Sequence, residues 1–261
     1  MNCVELKDVS VVRGKFFVLK NINLTIKENT FVSVIGPNGA GKTTLIKIIN
    51  GLAKVSNGEV KVFDMVLSSK NVVGVRKEIG YVPQHINLEQ KFPILVRDVI
   101  KIGKFGKKGF FKRFTDEDKL IFNEIVSFIK IEHLLDKPVG HLSGGELQKV
   151  SIGRALFQQP KILILDEPTS NLDPKSQYEI LQLIEKIYQE KQITTIFVTH
   201  ILSHIPVCCN DIILVKHGRI YSQGTPEKIL REDLLSELYD CNVEIKFIGE
   251  RRHFHIGSFH P

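Results

Sequence analysis

The segment Gly36-Pro37-Asn38-Gly39-Ala40-Gly41-Lys42-Thr43 has the form G-x-x-x-x-G-K-[ST]. Successive backbone N–H groups of such a loop can wrap the β- and γ-phosphates of a nucleotide, while Lys42 neutralises them and Thr43 offers a hydroxyl to Mg²⁺. A second chemical group closes the apolar run Lys161-Ile162-Leu163-Ile164-Leu165 with two carboxylates, Asp166 and Glu167. In an open α/β sheet, ligands bind beyond the carboxyl ends of the strands. There Asp166 can serve Mg²⁺ directly or through water, and Glu167 can polarise an attacking water. Gln84 ends the strand-like stretch before it, where its amide can reach Mg²⁺ or the water. His200 follows another strand and can hydrogen-bond the γ-phosphate. His200 and His204 stand four apart, but the glutamate of H-E-x-x-H is missing, so zinc hydrolase chemistry is not indicated.

Leu142-Ser143-Gly144-Gly145-Glu146 raises a different question. Ser143 and Glu146 have capping-box spacing. Two adjacent glycines weaken a helix by about 1 kcal/mol each relative to alanine. They also leave the amides at the helix start uncovered, and such amides attract anions.

These groups need a scaffold of strands and helices. Residues 31–35 read as a buried strand entering the glycine loop, and 41–49 as the helix leaving it. Strands are predicted over 4–12 and 18–26, with Arg13-Gly14-Lys15 as the turn, and over 58–63, 79–82, 161–165, 193–198, 211–215 and 219–222. Helices are predicted over 96–102, 116–131, 143–157 and 174–190, with another opening at Thr225-Pro226. Strands alternating with helices imply a largely parallel sheet. The mainly helical stretch from 85 to 160 implies an inserted lobe.

The 261 residues, 43% of them apolar, suffice for one large domain or two joined ones. The N-terminus alternates polar and apolar residues like a strand, and no apolar run reaches the roughly 18 residues of a membrane span. The expectation is a cytosolic chain that meets a membrane through a partner. Cys3, Cys208, Cys209 and Cys241 form neither C-x-x-C nor a disulfide framework. A formal charge of +7 suits nucleic acid, an anionic membrane surface or an anionic ligand. The basic and aromatic run from Lys104 to Phe114 keeps a nucleic-acid reading open, as does its reading as a solvated basic loop.

Taken together and in order, the motifs resemble the ATP-binding cassette (ABC) family over nearly the whole chain: phosphate loop 36–43, Q-loop Gln84, signature 142–146, Walker B 162–167, D-loop Ser170-Asn171-Leu172-Asp173 and switch His200. The resemblance implies a P-loop NTPase fold with a RecA-like parallel-sheet core, an N-terminal antiparallel β subdomain and an inserted α-helical subdomain. The core and β subdomain take 1–84 and 161–235, the helical subdomain 85–160, and a C-terminal extension 236–261. It implies ATP and Mg²⁺ as ligands. Gly36, Pro37, Asn38, Gly39, Ala40, Gly41, Lys42, Thr43, Thr44 and Asp173 contact nucleotide, Thr43, Gln84 and Asp166 serve the metal, and Glu167, His200, Lys42 and Gln84 serve catalysis.

It further implies a head-to-tail dimer in which Ser143, Gly144, Gly145 and Glu146 face the γ-phosphate bound by a second copy. Two departures stand out. Glu146 replaces the family's usual glutamine, and its carboxylate is expected to turn back on its own helix start. The adenine platform is usually aromatic; here Arg13 stands in that place, with Phe16 and Phe17 as alternatives.

The stretches around Gln84-His85, 92–100 and 102–106 look like the zinc and manganese importer ATPases, and somewhat less like iron-chelate and cobalamin importers. This implies membrane permease subunits and, indirectly, an extracytoplasmic substrate-binding protein as partners. The insert would dock the permease, with the run 104–114 near that surface. A nucleic-acid-remodelling cassette is the competing reading, and the short insert without coiled coil or zinc-binding cysteines argues against a nucleic-acid partner. Arg252-His253-Phe254-His255 and His260 suggest a metal-sensing tail, but three tail histidines read more readily as unstructured.

Overall fold

The computed structural model describes residues 1–84, 93–109, 113–248 and 251–257. His85, Phe92, Phe110, Phe111, Lys112 and His260, named above, lie outside the described residues. In chain order the elements are β1 (Asn2–Arg13), β2 (Phe16–Lys27), β3 (Phe31–Ile35), α1 (Lys42–Ile49), β4 (Asn57–Val62), β5 (Met65–Val66), α2 (Val72–Lys77), β6 (Ile79–Val82), α3 (Val96–Lys108) and α4 (Asp116–Phe128). There follow α5 (Gly144–Phe157), β7 (Ile162–Asp166), α6 (Pro174–Lys191), β8 (Thr194–Thr199), β9 (Asp211–Lys216), β10 (Arg219–Gly224), α7 (Pro226–Ile229), α8 (Glu232–Tyr239), β11 (Val243–Ile248) and β12 (Arg251–Ile256). The chain divides into two compact units, Met1–Val75 with Thr194–Pro261, and Arg76–Ile193.

In the first unit, β3 is buried along its whole length. That accounts for its unbroken run of apolar residues around Ser33, because a parallel strand covered on both faces has no solvent side to alternate toward. It lies between β8 and β9 and parallel to both, with Val34 opposite Val198 and Ile213. β10 returns antiparallel on β9. A separate antiparallel sheet has the order β2-β1-β4-β5.

The C-terminal residues form a hairpin, which corrects the expectation of an unstructured tail. β11 and β12 pair with Ile245 opposite Phe254, Glu244 opposite His255 and Lys246 opposite His253. Val243 is buried and Ile245 and Phe254 are half-buried, while His253 and His255 are exposed. The period of two in both strands becomes readable only once they are paired. β11 packs on α8, and β12 packs on the 3₁₀ turn Leu202–His204.

In the second unit, β6 and β7 run parallel, and the helices α3 to α6 make up most of the rest. Two glycines permit close packing, Gly103 where α3 meets α5 and Gly153 where α5 meets the end of α4. A Cβ at Gly103 would run into the carbonyl oxygen of Arg154, and one at Gly153 would come within 2.6 Å of Ile129 Cδ1. Phe157 meets Phe122 and Phe114 at centroid distances of 5.6 and 5.9 Å.

The run 104–114 is not a solvated basic loop over the part described. Lys104 lies 3.5 Å from Asp118 and 5.6 Å from the Phe157 ring centroid. Lys107 pairs with Glu78 at 3.2 Å and donates to the Gln159 carbonyl at 2.9 Å. Lys108 pairs with Asp118 and lies over Phe114. Burial drives these contacts: Lys104 is only 9% exposed, and a buried cation must be paired.

Asp118 is the centre of this group. Its Oδ2 accepts from the backbone N of Thr115 at 2.8 Å, while Thr115 Oγ1 accepts from the Asp118 amide at 3.2 Å, so the same carboxylate caps α4 and pairs two lysines. Burial raises its pKa, but Lys108 and the Thr115 donors outweigh that and hold it well below the usual carboxylate range. Removing one member of a buried ion pair costs about 3–5 kcal/mol, so Asp118→Asn should lower unfolding stability by about 3 kcal/mol at neutral pH. Because the folded-state pKa is depressed, the carboxylate's contribution is complete above the unfolded pKa of about 3.9 and is lost as pH falls toward the folded value. Urea unfolding at pH 7 and at pH 3 should therefore show a wide gap between wild type and variant that narrows in acid. A gap independent of pH would contradict the assignment.

Candidate active site

The first unit carries the glycine loop. Ile35 and Thr199 are register partners on β3 and β8, so Gly36 and His200 leave adjacent strand ends. A Cβ at Gly36 would strike the Val215 carbonyl, so the loop can start here only without a side chain. Gly41 has φ 105°, and a Cβ there would approach Leu19 Cδ2 to 2.7 Å. β2 thus packs directly against the loop, an arrangement reinforced by hydrogen bonds from Lys20 N to the Gly218 carbonyl (2.8 Å) and from Gly218 N to the Ala40 carbonyl (3.0 Å).

Gly41 is also the N-cap of α1 and makes no side-chain cap, which leaves the first amides of the helix to a ligand. Lys42 is 5% exposed, and its Nζ donates to the carbonyls of Gly36 (2.8 Å) and Pro37 (3.0 Å). The ammonium therefore lies folded over its own loop. Asn38 and Gly39 are exposed at the tip, Thr43 is half-buried, and Ala40 and Thr44 are buried. His200 is half-buried, and the Tyr239 hydroxyl donates to its carbonyl at 3.4 Å. Burial, and then the neighbouring His200, hold the His204 imidazole below its ordinary pKa. At the end of the first hairpin, Arg13 pairs with Phe16 and Val12 with Phe17. Arg13 is exposed, as are Phe16 (79%) and Phe17 (57%), and the Lys20 ammonium lies 5.4 Å from the Phe17 ring centroid.

The second unit carries the carboxylates. Val82 and Leu165 are register partners, so Gln84 and the pair Asp166-Glu167 leave adjacent strand ends. Gln84 Nε2 donates to Glu167 Oε2 at 2.8 Å, and the Tyr81 hydroxyl donates to Asp166 Oδ2 at 3.3 Å. Asp166 is 1% exposed and Glu167 8%. Burial, and then the Asp166 charge, push the Tyr81 phenol above its ordinary pKa. Glu167 has φ 48°, a left-handed backbone that costs a non-glycine residue about 1–3 kcal/mol. The Ser170 amide (3.0 Å) and hydroxyl (2.9 Å), both donating to the Glu167 carbonyl, hold it there.

Ser143 caps α5 through a reciprocal box. Its hydroxyl accepts from the Glu146 amide at 3.3 Å, and Glu146 Oε2 accepts from both the amide and the hydroxyl of Ser143 at 2.8 Å. The carboxylate does turn back on its own helix start, and these Ser143 donors lower its pKa despite partial burial. The two glycines also have a packing reason. A Cβ at Gly145 would lie 2.7 Å from Ser176 Oγ, and one at Gly144 would lie 3.0 Å from Leu172. Asp173 is exposed and caps α6, accepting from the Ser176 amide at 3.1 Å.

Thr43, Asp166 and Gln84 offer hydroxyl, carboxylate and amide oxygens, the hard donors that suit Mg²⁺. A carboxylate as buried as Asp166 needs donors or a cation. Among the described residues no group of three or more His, Cys, Asp or Glu has a metal-holding arrangement. Sequence reasoning missed Tyr81, because a tyrosine in a strand carries no spacing signal; only the β6–β7 register brings its hydroxyl to Asp166.

The ABC transporter family profile matches residues 19–170. The petrobactin import ATP-binding protein YclP of Bacillus subtilis is 32% identical over 252 residues, 95% of this chain and 97% of that protein. The zinc import ATP-binding protein ZnuC of Mannheimia succiniciproducens is 33% identical, covering 90% of this chain and 81% of its own length. Among solved structures, the dimeric post-hydrolysis state of the ATP-binding cassette MJ0796 bound to ADP and Pi superposes with a TM-score of 0.72 at 32% identity, over 85% of this chain and 98% of that one.

The capping box can be tested without nucleotide. Ser143→Ala removes the hydroxyl that accepts from Glu146 N and should lower unfolding stability by about 1 kcal/mol, read from urea midpoints. An unchanged midpoint would show that the cap does not form in solution.

Proposed function

The chain belongs to the ABC transporter family, and from that premise we propose that it is the ATP-hydrolysing subunit of an importer that drives a metal ion, zinc or manganese, through a membrane permease. The phosphate loop, the two carboxylates and the capped glycine helix start are the groups such a cycle requires, and that full set in one chain carries the reading. Similarity to a zinc import protein supports the cargo. A second reading, import of an iron chelate, is favoured by similarity to the petrobactin import protein over nearly the whole of both chains.

In this reading ATP binds first at the loop 36–43. The Lys42 ammonium leaves the carbonyls of Gly36 and Pro37, its partners at 2.8 and 3.0 Å, and turns to the phosphates. The amides at the start of α1 take phosphate oxygens. Thr43, Asp166 and Gln84 would hold Mg²⁺, which when bound would neutralise charge on the transferring phosphoryl group. Glu167 orients the water for in-line attack and accepts its proton, which requires Gln84 Nε2 to release the Glu167 carboxylate. His200 hydrogen-bonds the γ-phosphate. Arg13, or the exposed Phe16 or Phe17, forms the platform for the base: a guanidinium plane and an aromatic ring both stack on adenine.

Ser143, Gly144 and Gly145 of a second copy complete the site, while Glu146 stays turned to its own cap so that its charge is held off the phosphate. Closure of the dimer then depends on ATP, and hydrolysis reopens it. The dimeric MJ0796 cassette with ADP and Pi supports the two-copy arrangement. The core of 1–84 with 161–235, the permease-docking helical part 85–160 and the extension 236–261 are the proposed functional divisions. Among the described residues no helix is long and apolar enough to cross a membrane. In the proposed reading the permease spans the bilayer and works with an extracytoplasmic substrate-binding protein.

Glu167→Gln should bind ATP, form a dimer stable to gel filtration, and hydrolyse at least about 10²-fold more slowly than wild type. Wild-type turnover, or a monomer in saturating ATP, would sink the mechanism. Captured from detergent-solubilised membranes with Mg-ATP, this variant should bring down a polytopic permease whose identity names the cargo. Recovery of ribosomal proteins or nucleic acid with no membrane protein would overturn the transport reading.

A further inference from the structure

The helix that opens at the signature ends in a grip on the strand that leads to the catalytic groups. α5 is 14 residues long, or about 21 Å at 1.5 Å per residue. Near its far end, two side chains four residues apart face the backbone of β6 and of the end of α2. Arg154 Nη2 donates to the Tyr81 carbonyl at 3.0 Å. Gln158 Nε2 donates to the carbonyls of Arg76 (2.7 Å), Lys77 (2.9 Å) and Ile79 (2.9 Å). The strand so held presents the Tyr81 hydroxyl to Asp166 and leads directly to Gln84, whose amide holds Glu167.

This is a costly way merely to pack a helix on a strand. A half-buried guanidinium loses part of its hydration, and here it donates to a neutral carbonyl. Its fixed fork of donors gives a directional hold that an apolar side chain of the same volume would not. α5 is closely packed along its length, against the backbone of α3 at Gly103 and against the side chains of Ile129 and Ile100 at Gly153, and a close-packed helix transmits displacement with little give.

We propose that Arg154 and Gln158 are positioning residues for ATP hydrolysis: they fasten the strand bearing Tyr81 and Gln84 to the signature helix, so that engagement of Ser143 by the second copy's nucleotide sets the placement of Asp166 and Glu167 in the same chain. The inference rests on the function proposed above and adds to it a route by which each site reports to the other. The two states required of such a relay are the signature engaged and the signature free.

The test is a double-mutant cycle on the full-length protein, with Ser143→Ala, Arg154→Met and the double variant, reading ATP affinity, kcat, the Hill coefficient for ATP and the thermal midpoint. Arg154→Met should bind ATP within about twofold of wild type yet lose about tenfold in kcat together with its cooperativity. The double variant should be no slower than the slower single variant, and Arg154→Lys, which retains a donor, should recover part of the rate. Effects that multiply in the double variant would overturn the relay, because independent sites are additive in free energy. A kcat loss that merely follows the folded fraction would do the same. Should the methionine variant fail to fold, Arg154→Lys run through the same cycle decides between coupled and multiplicative effects. If Ser143→Ala leaves kcat unchanged, the signature's role in the proposed function fails, and the relay with it; if it slows hydrolysis but does not couple to position 154, the relay alone fails.

Discussion

The register of parallel strands is the constraint on which the candidate site depends. Ile35 beside Thr199 sends Gly36 and His200 out of neighbouring strand ends, and Val82 beside Leu165 does the same for Gln84 and Asp166-Glu167. A slip of one residue would turn every side chain of a strand to its other face. The slip is resisted because β3, β7 and β8 are buried along their whole lengths, so every side chain that changed face would lose its place in a close-packed layer. Apolar packing thus holds in place groups that are themselves polar.

Three of the groups assigned to the proposed cycle have internal partners. Lys42 donates to its own loop carbonyls, Gln84 donates to Glu167, and Glu146 accepts from Ser143. In the proposed cycle a nucleotide exchanges the Lys42 and Gln84 hydrogen bonds for new ones. Such an exchange is small in net free energy, since a typical hydrogen bond contributes only about 0.5–1.5 kcal/mol beyond its alternative. Reversible closing and reopening suits a cycle of binding and hydrolysis, which bonds too strong to exchange would arrest.

The net charge of +7 is less available to partners than composition alone suggests. Lys104, Lys107 and Lys108 are drawn against Asp118, Glu78 and aromatic rings in the helical part. Their charge organises the start of α4 and the end of α3, leaving less of a basic surface for nucleic acid.

By itself the sequence determined the local chemistry: the glycine loop between strand and helix, the carboxylates at a strand end, and the capping box of Ser143 and Glu146. Each is written in neighbouring residues, whose spacing is set by backbone geometry alone. Only the tertiary structure decided that Tyr81 meets Asp166, that Gln84 holds Glu167, that Arg154 and Gln158 grip β6, and that the last residues pair as a hairpin. Those partners lie far apart in the chain or on strands whose register is a cooperative property of the packed sheet. The same holds for Gly103 and Gly153, which look like helix defects until the backbone of a crossing helix or an isoleucine side chain is found where their side chains would be.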